Sequence, residues 1–147
     1  MDFCSIGYPC IVGHMVGVCK VTNINELKHY FHFVNLDNRA FLKEGFNEKL
    51  RIRFLITGDG AFREFIPLIE KRKWARAIPW LVESKLECEV KVSTHFSRGE
   101  LSLLIKRNLT SLDRHFPRAM KLYKLLKQGE QNLPLSQEQV SEIIKNV

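Results

Sequence analysis

Hydrophobic and polar positions alternate most cleanly over two stretches of the chain. Leu50, Ile52, Phe54 and Ile56 fall on one side and Arg51 and Arg53 on the other, which is the period of a strand with one buried face. Leu86, Cys88, Val90 and Val92 alternate with Lys85, Glu87, Glu89 and Lys91 in the same way. Between the two, Thr57-Gly58-Asp59-Gly60 has the chemistry of a tight turn. Phe62, Phe65, Ile66 and Ile69 then recur at helical spacing, with Pro67 tolerable only near a first turn or a kink. The reading is a strand, a turn and a helix that runs into the basic cluster Lys71-Arg72-Lys73-Trp74 and Arg76, closed by Pro79.

The first 21 residues are apolar and carry Gly7, Gly13 and Gly17. They fit a strand buried on both faces, or a helix after Pro9 that places Gly13 and Gly17 one turn apart; periodicity leaves both open. A helix capped by Asn25 can run to Tyr30, although Tyr30 to Val34 is also strand-like. Asn35, Asp37, Asn38, Gly45 and Asn47 read as loop or turn residues. Past the second strand, Ser97 and Glu100 have capping-box spacing ahead of Leu101, Leu104 and Ile105. The next helix, beginning near Thr110 or Pro117, puts Phe116, Ala119, Met120, Tyr123 and Leu126 on one face and Arg114, Arg118, Lys121 and Lys124 on the other. Gly129 ends it. Ser136 to Gln139 forms a second capping box before Val140, Ile143 and Ile144. The pattern predicts a single α+β domain over residues 1–147, with a small mixed or antiparallel sheet and helices on one face.

Charge changes this picture by its placement. Residues 51–128 carry seventeen basic and eight acidic side chains, while residues 1–50 carry five of each and residues 129–147 one basic and three acidic. A positive field concentrated in the middle of the chain favours polyanions through phosphate neutralisation and counterion release. Membrane headgroups are the competing polyanion, but no apolar run of spanning length exists, and Asp2 stands where a signal peptide needs positive charge. Cys4, Cys10, Cys19 and Cys88 form no dense framework. Free thiols of this kind suit a reducing intracellular compartment, a mitochondrion or chloroplast included.

Arg72, Lys73 and Arg76 beside Trp74, with Lys71, make one candidate nucleic-acid surface, since guanidinium forks suit phosphate and an aromatic ring can stack on an unpaired base. The Arg114, Arg118, Lys121 and Lys124 face makes another, and Arg51 and Arg53 join it if their sheet face is exposed and not paired with Glu87 and Glu89. Cys4, Cys10, His14 and Cys19 include the donor types zinc uses, without the short CxxC spacing; their apolar neighbours favour cysteines that are simply buried. Asp59 between two glycines is the weakest candidate catalytic or metal-binding carboxylate, because turn chemistry accounts for it. No Ser/His/Asp or Cys/His arrangement is present, and no cofactor is implied.

The order of elements from Pro9 to Asn146 resembles a single LAGLIDADG homing-endonuclease domain. Ile11 to Cys19 would occupy the signature helix, Leu50 to Thr57 the second strand, Phe62 to Lys73 the next helix, Trp74 to Val82 and Leu86 to Thr94 a second strand pair, and Leu122 to Ile144 the closing helices. The resemblance implies an αββαββα order with extra C-terminal helices, and a helix for the glycine-bearing segment through which Gly13 and Gly17 would pack a second copy or a protein partner. The family's metal-binding acid would fall near Val18, and no Asp or Glu lies between Asp2 and Glu26. The expectation is therefore a non-catalytic nucleic-acid-binding protein, RNA favoured over DNA, structural in a ribonucleoprotein or maturase-like. A metal-dependent DNA endonuclease is the first alternative, and a viral or host-interaction protein of unrelated fold that sequesters duplex RNA is the second.

Overall fold

The computed structural model describes residues 6–15, 17–36, 39–43, 51–68, 85–109 and 117–147. Seven strands and four helices are present among them: β1 (Cys10–His14), β2 (Gly17–Val21), α1 (Ile24–Lys28), β3 (Phe31–Leu36), β4 (Arg39–Lys43), β5 (Ile52–Ile56), β6 (Phe62–Pro67), β7 (Lys85–Ser93), α2 (Arg98–Asn108), α3 (Pro117–Lys127) and α4 (Gln137–Asn146). The strands form one antiparallel sheet in the order β2-β1-β5-β6-β7-β4-β3. A central meander, β5-β6-β7, is flanked on one side by the β1–β2 hairpin and on the other by the β3–β4 hairpin. The class is α+β.

Val21 ends one outermost strand and Phe31 begins the other. Seven strands laid flat span about 29 Å, whereas the short, partly helical connection between these residues reaches at most about 27 Å at full stretch. The sheet therefore curls. Its concave side holds one core, to which all seven strands contribute: Cys10, Val12, Val21, Phe31, Ala40, Leu42, Ile52, Leu55, Phe65, Cys88 and Val90, with Leu27 of α1 closing the gap between the outer strands. Asn23 caps α1 by accepting from the Glu26 amide at 3.0 Å. A second core lies on the convex side, where Ile11, Phe54, Ile56 and Phe62 meet Leu101 and Ile105 of α2, Ala119, Leu122 and Leu126 of α3, and Val140, Ile143 and Ile144 of α4. The result is an open barrel with a three-helix layer packed outside β1, β5 and β6.

Four expectations are corrected. The glycine-bearing segment is a hairpin and not a helix, so the order of elements is not αββαββα. Gly13 faces Phe54 across the β1–β5 ladder, and the Phe54 ring fills the space where a Cβ would stand, with ring atoms 2.0–2.4 Å from that position. Phe62 to Pro67 is a strand: Phe62 joins the convex core and Phe65 the concave one. Helical spacing arises there because Phe62 and Phe65 are buried on opposite faces of the strand, while Ile66 is 39 % exposed. Finally, Arg51 and Arg53 are not on an exposed face. Gly13 pairs with Phe54 but His14 pairs with Ile52, so Arg53 is an extra residue, a bulge that flips the strand's alternation. Ile52 joins Leu55 inside the barrel while Phe54 and Ile56 point outward. Arg51 is buried at 6 % exposure, Arg53 is half-buried against Met15, and Glu87 pairs with Arg39 at 2.9 Å instead.

The second alternating stretch is β7, with Cys88 and Val90 buried as expected. Val92 is 44 % exposed, opposite Arg63 and next to the β5–β6 turn, where the strand outruns the core. Both capping boxes form, Ser97 with Glu100 and Ser136 with Gln139.

Candidate nucleic-acid interface

Helix α3 begins with Pro117, whose fixed φ suits the first helical position. Ala119, Leu122 and Leu126 are buried against the convex core, so the opposite face is committed to solvent. Arg118, Lys121 and Lys124 are exposed there, as is Lys127 on the flank, and the helix contains no acidic residue. Lys124 and Lys127 lie in its last turn, where the helix dipole favours cations. The C-terminal end is tied down: Arg98 Nη1 donates to the Leu125 carbonyl at 2.8 Å, Gln131 Nε2 donates to the Leu126 carbonyl at 3.0 Å, and Gly129 turns the chain with φ of +96°.

A fifth cation comes from the neighbouring helix. Lys106 of α2 places its ammonium 4.9 Å from the centroid of the Tyr123 ring, and Lys127 places its own at 4.6 Å. Contacts of this kind contribute about 0.5–1 kcal/mol at exposed sites. Here they also fix the direction of both side chains. Lys121 and Lys124 thus stand on the solvent side of α3 with Arg118 on one flank and Lys127 and Lys106 on the other, a positive surface wrapped around the helix, and none of the five is paired with a carboxylate among the described residues. Lys127 continues the three-residue spacing of Lys121 and Lys124 and was legible as a member of this face. Lys106 was not, since only the α2–α3 packing brings it to Tyr123.

The remaining sequence candidates separate. Cys4, Lys71, Arg72, Lys73, Trp74, Arg76 and Arg114 lie outside the described residues. Cys10 is fully buried, donates to the Gly7 carbonyl at 3.1 Å, and its thiol is pushed by burial up to about 12. Cys19 lies midway along the hairpin ladder, opposite Val12, with Sγ 3.6 Å from His14 Nε2 and 3.7 Å from Tyr30 Oη. Burial raises its pKa, against the opposing influence of the Tyr30 hydroxyl and of Arg118. Burial and the adjacent Cys19 together hold the Tyr30 hydroxyl at about 12. No group of three or more His, Cys, Asp or Glu side chains placed to hold a metal ion occurs among the described residues.

Asp59 has a structural task. Its carboxylate accepts from Thr57 Oγ1 and from Arg63 Nη2, the latter at 3.0 Å, which clamps the turn between β5 and β6. The neighbouring Gly58 amide donates to the Gly7 carbonyl at 2.7 Å. A cleft of about 410 Å³ between the end of β7 and α2 is lined by His95, Glu100, Leu103 and Arg107, among others. Its charged groups are already engaged: Glu100 accepts from the Ser97 amide at 3.0 Å, and Arg107 bridges to Glu64 at 2.5 Å, with Asn108 on the same carboxylate. No helix among the described residues is long and apolar enough to cross a membrane.

No protein-family model, no curated protein and no solved structure matches this chain.

Proposed function

We propose that this protein binds nucleic acid without cleaving it, with RNA the favoured polymer, as a structural component of a ribonucleoprotein or a maturase-like cofactor of RNA processing. The observation that carries the reading is the positive surface of Lys106, Arg118, Lys121, Lys124 and Lys127, none of which has a carboxylate partner among the described residues. A merely solvated helix would be expected to interleave charges of both signs. An anionic membrane is a poorer fit to the same charge, because interfacial helices insert their apolar face and that of α3 is already buried in the core. The clamp on Asp59 leaves it a poor metal ligand, so the endonuclease alternative draws no support from it.

Fluorescence anisotropy of labelled RNA with the native chain and with Lys121→Gln/Lys124→Gln tests the reading. Both side chains are exposed, so the variant's thermal unfolding should be unchanged. Loss of two phosphate contacts at 0.1 M salt is expected to weaken binding about 60-fold. Undiminished affinity in the folded variant would remove α3 from the interface.

A further inference from the structure

Helix α2 buries Leu101, Ser102 and Ile105. That leaves Glu100, Leu103, Leu104 and Arg107 together on its outer side, a stripe set by helical spacing. These four line one wall of the cleft whose other wall is Ser93 to Phe96. Leu103 is 66 % exposed, more than any other large hydrophobic side chain among the described residues. Glu100 and Arg107 are exposed as well. The order along the stripe is acid, leucine, leucine, base. Seven residues separate the two charges, which puts them about 10.5 Å apart along the axis and within about 20° of one line on the helix surface. The pair of leucines lies at their midpoint. A preference for acids in the first turn and bases in the last accounts for the two charges. It does not account for a large apolar side chain exposed midway between them.

We infer that this stripe is the contact through which two copies of the chain associate, with their α2 helices antiparallel about a two-fold axis that passes between Leu103 and Leu104. An isologous contact requires a surface complementary to itself. Turned about that axis, Glu100 of each copy comes opposite the partner's Arg107, and the leucines meet at the centre. A crossing angle of about 20°, common for packed helices, displaces each charge pair by under about 2 Å, which the two long side chains can span. Within its own chain each charge is engaged through one terminal atom, Glu100 Oε2 with the Ser97 amide and Arg107 Nη2 with Glu64. That leaves Oε1 and Nη1 for the partner. The cleft beside the leucines, about 410 Å³, has room for the partner's Leu103. A groove shaped for an unrelated chain has no need of such symmetry. Lys106 lies about 100° around α2 from Arg107 and is directed to Tyr123, so the positive surface of α3 stays outside the contact. One helix face with the rim of one cleft is small for a specific interface, so association is weak and depends on concentration.

Sedimentation equilibrium of the nuclease-treated native chain, from about 1 to 500 µM, reads the dissociation constant. The native chain is expected to pass from monomer to dimer within that range. Leu103→Lys should raise the dissociation constant at least about tenfold, with the thermal midpoint of dilute protein unchanged. Glu100→Gln keeps a side chain that can close the capping box but removes both charge pairs between the copies, and should raise the constant by about two- to thirtyfold. A dimer weakened by Leu103→Lys but indifferent to Glu100→Gln would overturn the antiparallel two-fold arrangement. A native chain that stays monomeric throughout, or a dimer that Leu103→Lys leaves intact, would overturn the contact itself. So would a lowered midpoint of dilute Leu103→Lys, since a side chain that the monomer needs is not spare for a partner.

Discussion

Gly13 and Phe54 should behave as one energetic unit. A methyl group added at Gly13 would sit 2.0, 2.1 and 2.4 Å from three atoms of the Phe54 ring, where carbon atoms ordinarily approach to about 3.5–4.0 Å. The ring has nowhere to retreat. It is fully buried and stacks on Phe62 with centroids 5.1 Å apart, inside the core shared with α2, α3 and α4. Gly13→Ala is therefore expected to cost about 1–3 kcal/mol through overpacking, and Phe54→Ala about 3–5 kcal/mol through lost burial and the cavity left behind. Once the ring is gone the methyl group has no clash to make and fills part of the void. The double variant should thus be no less stable than Phe54→Ala alone, a coupling of at least about 1 kcal/mol against additivity. Urea denaturation followed by circular dichroism gives the three differences, and Phe54→Leu supplies a milder background if Phe54→Ala does not fold. Additive costs would refute the claim that this glycine exists to admit the ring.

Other consequences can be checked alongside. Ser136→Ala removes the side chain that accepts from the Gln139 amide at 3.2 Å, and should lower stability by about 1 kcal/mol. The folded Cys10 thiol titrates near 12, against 9.0 ordinarily, so its contribution is intact below pH 9 and is lost as pH rises from 9 towards 12. Urea midpoints of Cys10→Ala should fall less steeply over that range than those of the native chain. Gly58→Ala would bring a Cβ within 2.8 Å of the Gly7 backbone, and should break the clip at the β5–β6 turn, seen as faster amide exchange at Gly58. Glu64→Gln weakens the tie from β6 to Arg107 and Asn108. At 54 % exposure for the arginine, the expected loss is under about 1 kcal/mol, measured by thermal unfolding.

Features set by a few neighbouring residues were legible in the sequence: both capping boxes, the turn at Gly58, the end of α3 before Gly129, and the buried Cys88 and Val90 of β7. What escaped depends on partners distant in the chain. Gly13 and Gly17 have the spacing of a close-packing helix, but Gly13 answers to a ring forty-one residues away. The spacing of Phe62, Phe65 and Ile66 imitates a helix because β6 is covered on both faces near its start. The bulge at Arg53 moves Ile52 to the other side of the sheet, and the simple alternation of that stretch gives no sign of it. For the candidate site, the exposure of Arg118, Lys121 and Lys124 was readable from periodicity, although the helix turns Leu122 to the core and leaves Met120 and Tyr123 half-buried, whereas Lys106 depends on helix packing and Arg51 on burial that only the assembled sheet creates.

The strand order also dictates when each part of the chain can become useful. The β1–β2 and β3–β4 hairpins precede the meander in the chain, yet each leans on it: β1 pairs with β5, and β4 with β7. The β1–β2 hairpin has no docking edge until β5 is present and the β3–β4 hairpin none until β7 is, and α1 bridges the outer strands of the two. Pairings of such sequence separation are slow to form. On a growing chain, the β1–β2 hairpin must wait for β5 and the β3–β4 hairpin for the segment through Ser93, and the convex face on which α2, α3 and α4 hold the basic surface is built before those helices reach it.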